Sequence, residues 1–319
     1  MEPVTSADVA AAGARIRPHL RPTPVWTVPR EALGLPGRAE VVRLKLDQLQ
    51  PTGSFKVRGA TSLLTDPGLV DTVTEAGVIA ASGGNFGLAV AWAAHRLGVH
   101  ATVVVPATSP RAKRDPIAAL GAELVVVDGV YADAFAAAEE RRVATGAAMA
   151  HAYDQAPVVA GQGTAAAEFL EQADGLDTVL VACGGGGLLA GTLAAVPTSV
   201  RVVAVETAGT ATLRTALDAG KPVDIEVSGA AASALGARRI GAHAWAVRDR
   251  LHAALVVTDQ QVERAQRWLW EAARQLAEPG GATALAALTA GIYEPEAGER
   301  VGVIVCGANA DPAELVTWG

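Results

Sequence analysis

Short uninterrupted runs of apolar, mostly β-branched residues recur along the chain, at 41–46, 78–81, 101–105, 123–127, 178–183, 201–205, 255–258 and 301–306. A strand covered on both faces reads this way, whereas a strand with one wet face alternates. Between the runs lie alanine-rich stretches of helical character at 87–97, 111–120, 132–144, 161–173, 259–276 and 282–290. Alanine has the best helix propensity of any residue. Strand–helix alternation builds βαβ units, so the pattern predicts an α/β protein of open, doubly wound sheets. The 319 residues suffice for roughly two domains. No Ser/Pro-rich linker separates them, and the close strand–helix steps between about 76 and 146 point to a small domain inserted in a larger one.

Composition removes several functions. Hydrophobic residues make up 50% and charged residues 18% of the chain, enough apolar material for a large core. The net charge is -7 and no Lys/Arg run occurs, so nothing attracts nucleic acid. No apolar stretch approaches the ~18 residues of a membrane span. Met1-Glu2-Pro3-Val4-Thr5 lacks the basic and apolar regions of a signal peptide, and a cytoplasmic protein is expected. Two cysteines, Cys183 and Cys306, cannot make a disulfide scaffold. There is no Cys-x-x-Cys, no His-Glu-x-x-His, no Gly-x-Ser-x-Gly and no P-loop, so no metal site is expected and hydrolase chemistry has little support. The chemistry is expected to come from a bound organic cofactor.

Two turns are suited to anions. The strand at 178–183 runs through Gly184-Gly185-Gly186-Gly187 straight into the apolar helix that begins Leu188-Leu189-Ala190. Without Cβ atoms, successive backbone N–H groups can converge on a phosphate at a helix N-terminus. Gly185-x-Gly187-x-x-Ala190 also fits a loose dinucleotide fingerprint, with Glu206 about 20 residues on as a ribose-binding acid. A nicotinamide-dependent oxidoreductase is therefore a rival reading. The second turn is Ser82-Gly83-Gly84-Asn85, again between a strand and a helix. Its side chains and free N–H groups suit a carboxylate, although Ser82 could equally be a plain helix cap.

Lys56 lies in Pro51-Thr52-Gly53-Ser54-Phe55-Lys56-Val57-Arg58-Gly59-Ala60. Pro51 and Gly53 mark a turn, Ser54 can cap, and Lys56 falls in the first turn of a helix. The positive end of the helix dipole disfavours a cation there and favours the neutral amine that Schiff-base chemistry needs.

The Pro51–Ala60 stretch resembles the lysine motif of fold-type II pyridoxal-phosphate enzymes, the tryptophan synthase β superfamily. Ser82-Gly83-Gly84-Asn85 resembles that family's substrate-carboxylate loop, and Gly184–Gly187 its phosphate loop. Gly161-Gln162-Gly163-Thr164 with Glu168 resembles a further family stretch. Val305-Cys306-Gly307-Ala308-Asn309 is similar to the segment facing the pyridine nitrogen. These marks occur in family order from 51 to 309, and within the superfamily the chain is most similar to serine/threonine dehydratases.

The resemblance implies a large cofactor domain, 1–75 with 147–319, and a small domain, 76–146, that closes over the substrate. It implies that Lys56 carries pyridoxal 5'-phosphate and then takes the Cα proton. Phe55 packs near the ring, and Asn85 bonds the ring's 3-oxygen. Gly184, Gly185, Gly186, Gly187 and Leu188 cradle the phosphate, and Cys306 sets a neutral thiol against the ring nitrogen. Ser82, Gly83, Gly84 and Asn85 hold the substrate. The implied reaction is α,β-elimination from L-threonine, L-serine or a related 3-hydroxy amino acid, giving a 2-oxo acid and ammonia. A serine racemase-like activity is the alternative within the fold, but similar racemases carry a serine where this chain has Gly83. Phe86 replaces the histidine that often follows the asparagine. Thr212 stands where metal-binding members have a second acid after the position of Glu206, so no divalent ion is expected. The expected partners are the amino-acid substrate and a second copy in a homodimer.

Overall fold

The structure, a computed structural model, describes residues 2–28, 30–33, 39–311 and 313. The strands among them are β1 (Val25–Val28), β2 (Ala39–Leu46), β3 (Val78–Ala81), β4 (Ala101–Pro106), β5 (Glu123–Val127), β6 (Ala148–Ala150), β7 (Thr178–Ala182), β8 (Arg201–Thr207), β9 (Ala253–Val257) and β10 (Glu299–Val305). They form a six-stranded sheet of order β1-β2-β10-β7-β8-β9 and a four-stranded sheet of order β5-β4-β3-β6. Every pairing is parallel except β1 with β2. All residues of β3 and β7 are buried, as uninterrupted apolar runs require. No helix among the described residues is long and apolar enough to cross a membrane.

The register places the C-terminal ends of β2, β7 and β10 side by side, with Val303 opposite both Leu44 and Leu180. The sequence order of neighbours is broken here, because β10 inserts between β2 and β7. In open α/β sheets the crevice beyond such a switch point is where ligands bind. The segments at 47–56, 183–187 and 306–309 all leave from this edge. The helix Lys56–Leu64 then lies between two cores. Its Val57, Ala60, Leu63 and Leu64 pack with Val78, Ala80, Phe86 and Val90 beneath the four-stranded sheet, while Phe55 packs against the core of the larger one.

A buried ionic network pins the segment that leads to this helix. Arg58, 2% exposed, donates to Asp47 at 2.7 Å and to Glu168 at 3.0 Å. Lys45, fully buried, donates to Glu168 at 2.5 Å, to Gln172 at 2.6 Å and to the carbonyl of Thr23 at 2.7 Å. Close helix packing accounts for the neighbouring glycines: a Cβ on Gly161 would lie 2.6 Å from the Arg58 carbonyl, and one on Gly163 2.6 Å from that of Gly191.

Some elements differ from their sequence reading. β1 and β6 are new, being too short to show a period. β6 also adds residues 148–150 to the four-stranded sheet, beyond a division at 146. The helix expected from 87 starts at Asn85, and that expected to reach 276 ends at Ala273, where Arg274 turns left-handed (φ 54°).

Candidate active site

Lys56 is the first residue of its helix, as expected, but Ser54 does not cap it. Phe55 occupies the cap position without a side-chain hydrogen bond. Its N–H donates instead to the carbonyl of Cys306 at 2.9 Å, and Ser54 forms a bridge with Gly307. The pairing of this turn with the 306–307 segment has taken over the role of a cap. The Lys56 amine donates to the carbonyl of Ala152 at 2.9 Å and stands 5.0 Å from the Phe55 ring centre and 5.9 Å from that of Phe86. Burial pushes it down to about 8, against the opposing pull of Cys306 and Glu278. An amine so placed is neutral for part of the time near neutral pH.

The glycine turn lies beside the residue that follows Ala152. A Cβ on Gly185 would stand 2.3 Å from the Tyr153 ring, and one on Gly187 2.7 Å from the Tyr153 carbonyl. A Cβ on Gly184 would meet the Leu235 carbonyl at 2.7 Å. Gly186 has φ +86°, a conformation that favours glycine. A side chain at any of the four would collide with Tyr153, Leu235 or Ala244, which pack directly on the turn. The helix begins at Gly187, so the N–H groups of Gly187, Leu188 and Leu189 have no carbonyl a turn earlier and are available to an anion. Leu189 belongs with this set although the sequence reading stopped at Leu188. The Thr212 hydroxyl donates to the Gly184 carbonyl at 2.6 Å and holds the turn from behind.

Across the crevice, Ser82 is not a helix cap. Gly84 holds that position, and the Ser82 hydroxyl accepts from the Gly84 N–H at 3.4 Å. A Cβ on Gly83 would lie 2.5 Å from the Ser109 hydroxyl. Asn85 donates from Nδ2 to Glu278 at 2.5 Å and accepts at Oδ1 from Asn309 at 2.8 Å.

Cys306 is 3% exposed and donates to the Gly280 carbonyl at 3.5 Å; burial first, then Glu278 and Asp47, push its thiol up, so it is neutral. Glu278 is 5% exposed, and burial pushes it up to about 7. Neither Glu278, Asn309 nor Tyr153 was singled out in the sequence. Glu278-Pro279 ahead of an apolar helix is a readable helix start, with proline at the first helical position.

Glu206 lies away from any ribose-binding role. It is fully buried, and accepts from the N–H groups of Leu213 at 2.7 Å and Arg214 at 2.8 Å and from the Thr212 hydroxyl at 3.3 Å. Its carboxylate is occupied by the start of the helix Thr212–Ala219, which removes the acid that the nicotinamide reading needs.

The sequence profile of the pyridoxal-phosphate dependent enzymes matches residues 16–307. The biosynthetic L-threonine dehydratase of Mycobacterium leprae is 37% identical over 97% of this chain and 73% of its own length. The corresponding Escherichia coli protein is 36% identical over 85% of this chain, which spans only about half, 53%, of that relative. Phenylserine dehydratase of Ralstonia pickettii is 35% identical over 96% of this chain and 93% of its own length. Among solved structures, maize serine racemase superposes with a TM-score of 0.91 at 28% identity, covering 99% of this chain and 97% of that one.

Proposed function

The chain belongs to the family of pyridoxal-phosphate-dependent enzymes, and on that premise we propose that it is a dehydratase, an ammonia-lyase acting on L-threonine, L-serine or a related 3-hydroxy amino acid. The observation that carries this reading is the Lys56 amine, lowered to about 8 by burial and bonded through Ala152 to the segment whose Tyr153 packs on the glycine turn. When bound, pyridoxal phosphate supplies an electron sink that makes a substrate Cα–H acidic.

The chain's own residues supply the rest. Lys56 would be the amine that holds the cofactor and the base that takes the substrate's Cα proton. Loss of the β-hydroxyl as water, followed by uptake of water at Cα, gives a 2-oxo acid and ammonia. The N–H groups of Gly184–Gly187, Leu188 and Leu189 hold the phosphate. Asn85 bonds the ring's 3-oxygen, Phe55 packs near the ring, and the neutral Cys306 thiol faces its nitrogen. Ser82, Gly83, Gly84 and Asn85 hold the substrate carboxylate. The four-stranded sheet, with residues 76–146 as its main part, closes over the substrate and excludes water, while 1–75 and 147–319 hold the cofactor. Elimination is favoured over racemisation because Gly83 has no group to protonate the far face. The same reading includes a homodimer and a cytoplasmic location, tested by sedimentation and fractionation.

A second reading of the substrate has its own support. Tyr131 and Phe135 are exposed, with rings 6.4 Å apart. Tyr153, packed over the glycine turn, is pushed up to about 12 by burial first and then by Tyr131, Asp154 and Asp224. Such a wall suits an aryl group on the substrate's β-carbon, as the name of the Ralstonia pickettii relative implies for that protein.

The test is a panel of L-serine, L-threonine and 3-phenylserine with 2-oxo-acid detection and chiral analysis of the remaining amino acid. Oxo acid and ammonia in equal amounts support elimination. D-Serine as the main product overturns it, and if S109A abolishes that product, the Ser109 hydroxyl is the proton donor.

A further inference from the structure

Asn85 belongs to the four-stranded sheet, since its helix follows β3, whereas Glu278 and Asn309 flank β10 of the larger one. A primary amide has two ends that differ only in what they bond, and its orientation is set by its neighbours. Here the chain of constraints has a fixed start. The Thr52 carbonyl can only accept, so it takes Nδ2 of Asn309 at 2.9 Å. The same nitrogen donates to Oδ1 of Asn85 at 2.8 Å. At the other end Glu278 accepts from Nδ2 of Asn85 at 2.5 Å. Both ends of the Asn85 amide are therefore engaged, and one Nδ2 hydrogen is left over.

Two glycines, Gly53 and Gly307, make room for these two residues. A Cβ on Gly307 would stand 1.9 Å from Oε1 of Glu278, and one on Gly53 2.3 Å from Oδ1 of Asn309. Gly53 also has φ +71°. The backbone is thus shaped around the two partners of Asn85, and burying a carboxylate as deeply as Glu278 is costly unless it is hydrogen-bonded, as it is here by Asn85.

We propose that Glu278 and Asn309 are positioning residues that lock the Asn85 amide so that its remaining N–H, not its oxygen, is presented to the cofactor's 3-oxygen. The inference rests on the assignment of Asn85 to that oxygen, but not on which substrate is used. A donor held there stabilises the ionised 3-oxygen, and an amide free to rotate presents its carbonyl part of the time and disfavours it.

The experiment is absorbance of the purified holoenzyme without substrate, comparing the long-wavelength band of the ionised 3-oxygen with the short-wavelength band of its protonated form. E278L should lower the long-to-short ratio about tenfold, the effect of one charge-assisted hydrogen bond. E278Q retains an acceptor and should keep the wild-type ratio. N309D sets an acceptor against Oδ1 of Asn85 and should lower the ratio even if E278L does not fold. N85A defines the fully uncoupled value, and E278L added to N85A should have no further effect on it. Wild-type ratios in E278L and N309D overturn the proposal. So does an equal E278L effect with and without Asn85, which marks a structural role only. A correct spectrum in an enzyme that produces no 2-oxo acid overturns the dehydratase reading and leaves this one standing.

Discussion

Two sets of buried ionisable groups share the segment 45–58 and are built in opposite ways. In the first, Lys45, Asp47 and Arg58 meet opposite charge on each other or on Glu168 at 2.5–3.0 Å. Burial works against every charge and keeps Lys45 below its ordinary value despite Glu168 and Asp47, yet Arg58 and Lys45 hold Glu168 down to about 2, and Asp47 and Glu168 hold Arg58 above its ordinary value. In the second, the Lys56 amine has a carbonyl for a partner and Glu278 has an amide. Burial wins there: the lysine moves down to about 8 and the glutamate up to about 7. Paired charges fix the chain, and unpaired ones are kept reactive. Groups of the second kind cluster at functional sites, where stability is given up for activity.

The comparison breaks most visibly if Lys56 is replaced. K56M should reduce 2-oxo-acid formation by about 10³-fold or more. The cofactor-free variant should be no less stable than wild type in thermal denaturation, since a desolvated amine has been removed. Next in size, R58M should lose about 3–5 kcal/mol in denaturant unfolding, because it leaves the buried Asp47 carboxylate without its guanidinium and takes one of two cations from the half-buried Glu168. If the two variants lose stability equally, the two sets do not differ.

The pH dependence sharpens the contrast by its sign. Glu168 sits below its ordinary value of 4.5, so its contribution is present above 4.5 and is lost as pH falls through about 2. Glu278 sits above that value, so folding favours its neutral form. That stabilisation is full below 4.5 and is lost as pH rises through about 7. In the cofactor-free protein, E168Q should therefore lose its deficit against wild type as acid is added. E278Q should gain an advantage as pH rises from 4.5 to about 7 and keep it above that. Thermal midpoints across pH 3–9 of the order given by these values check both.

Of the second set the sequence carried Lys56 and not Glu278. Lys56, Asn85, the four glycines and Cys306 stand in continuous motifs, and the strands around them are apolar runs that cannot be solvated on either face. Glu278 and Asn309 were not legible, because their bonds to Asn85 span 193 and 224 residues. Ser54 was misread because a sequence shows that serine can cap but not that the Cys306 carbonyl takes the next N–H. Glu206 was read at the right strand end, but the helix start only 6 to 8 residues on, which takes its carboxylate, was not.

The smallest expected effect belongs to Cys306. Its thiol is neutral and makes one long bond, to the Gly280 carbonyl. C306S keeps a neutral donor of similar size, and its cofactor content and turnover should stay within about fivefold of wild type. C306D places a charge in the same spot and should alter the cofactor's absorbance and slow elimination. If C306D matches wild type, residue 306 does not face the ring nitrogen.

The central claim is that the unpaired lysine, not a paired one, holds the cofactor. Borohydride reduction of the holoenzyme followed by peptide mapping tests it directly. A single pyridoxyl-modified peptide should carry the label on Lys56, with Lys45 unmodified inside its ionic network. Label on Lys45 or on Lys113, with Lys56 unmodified, would contradict it.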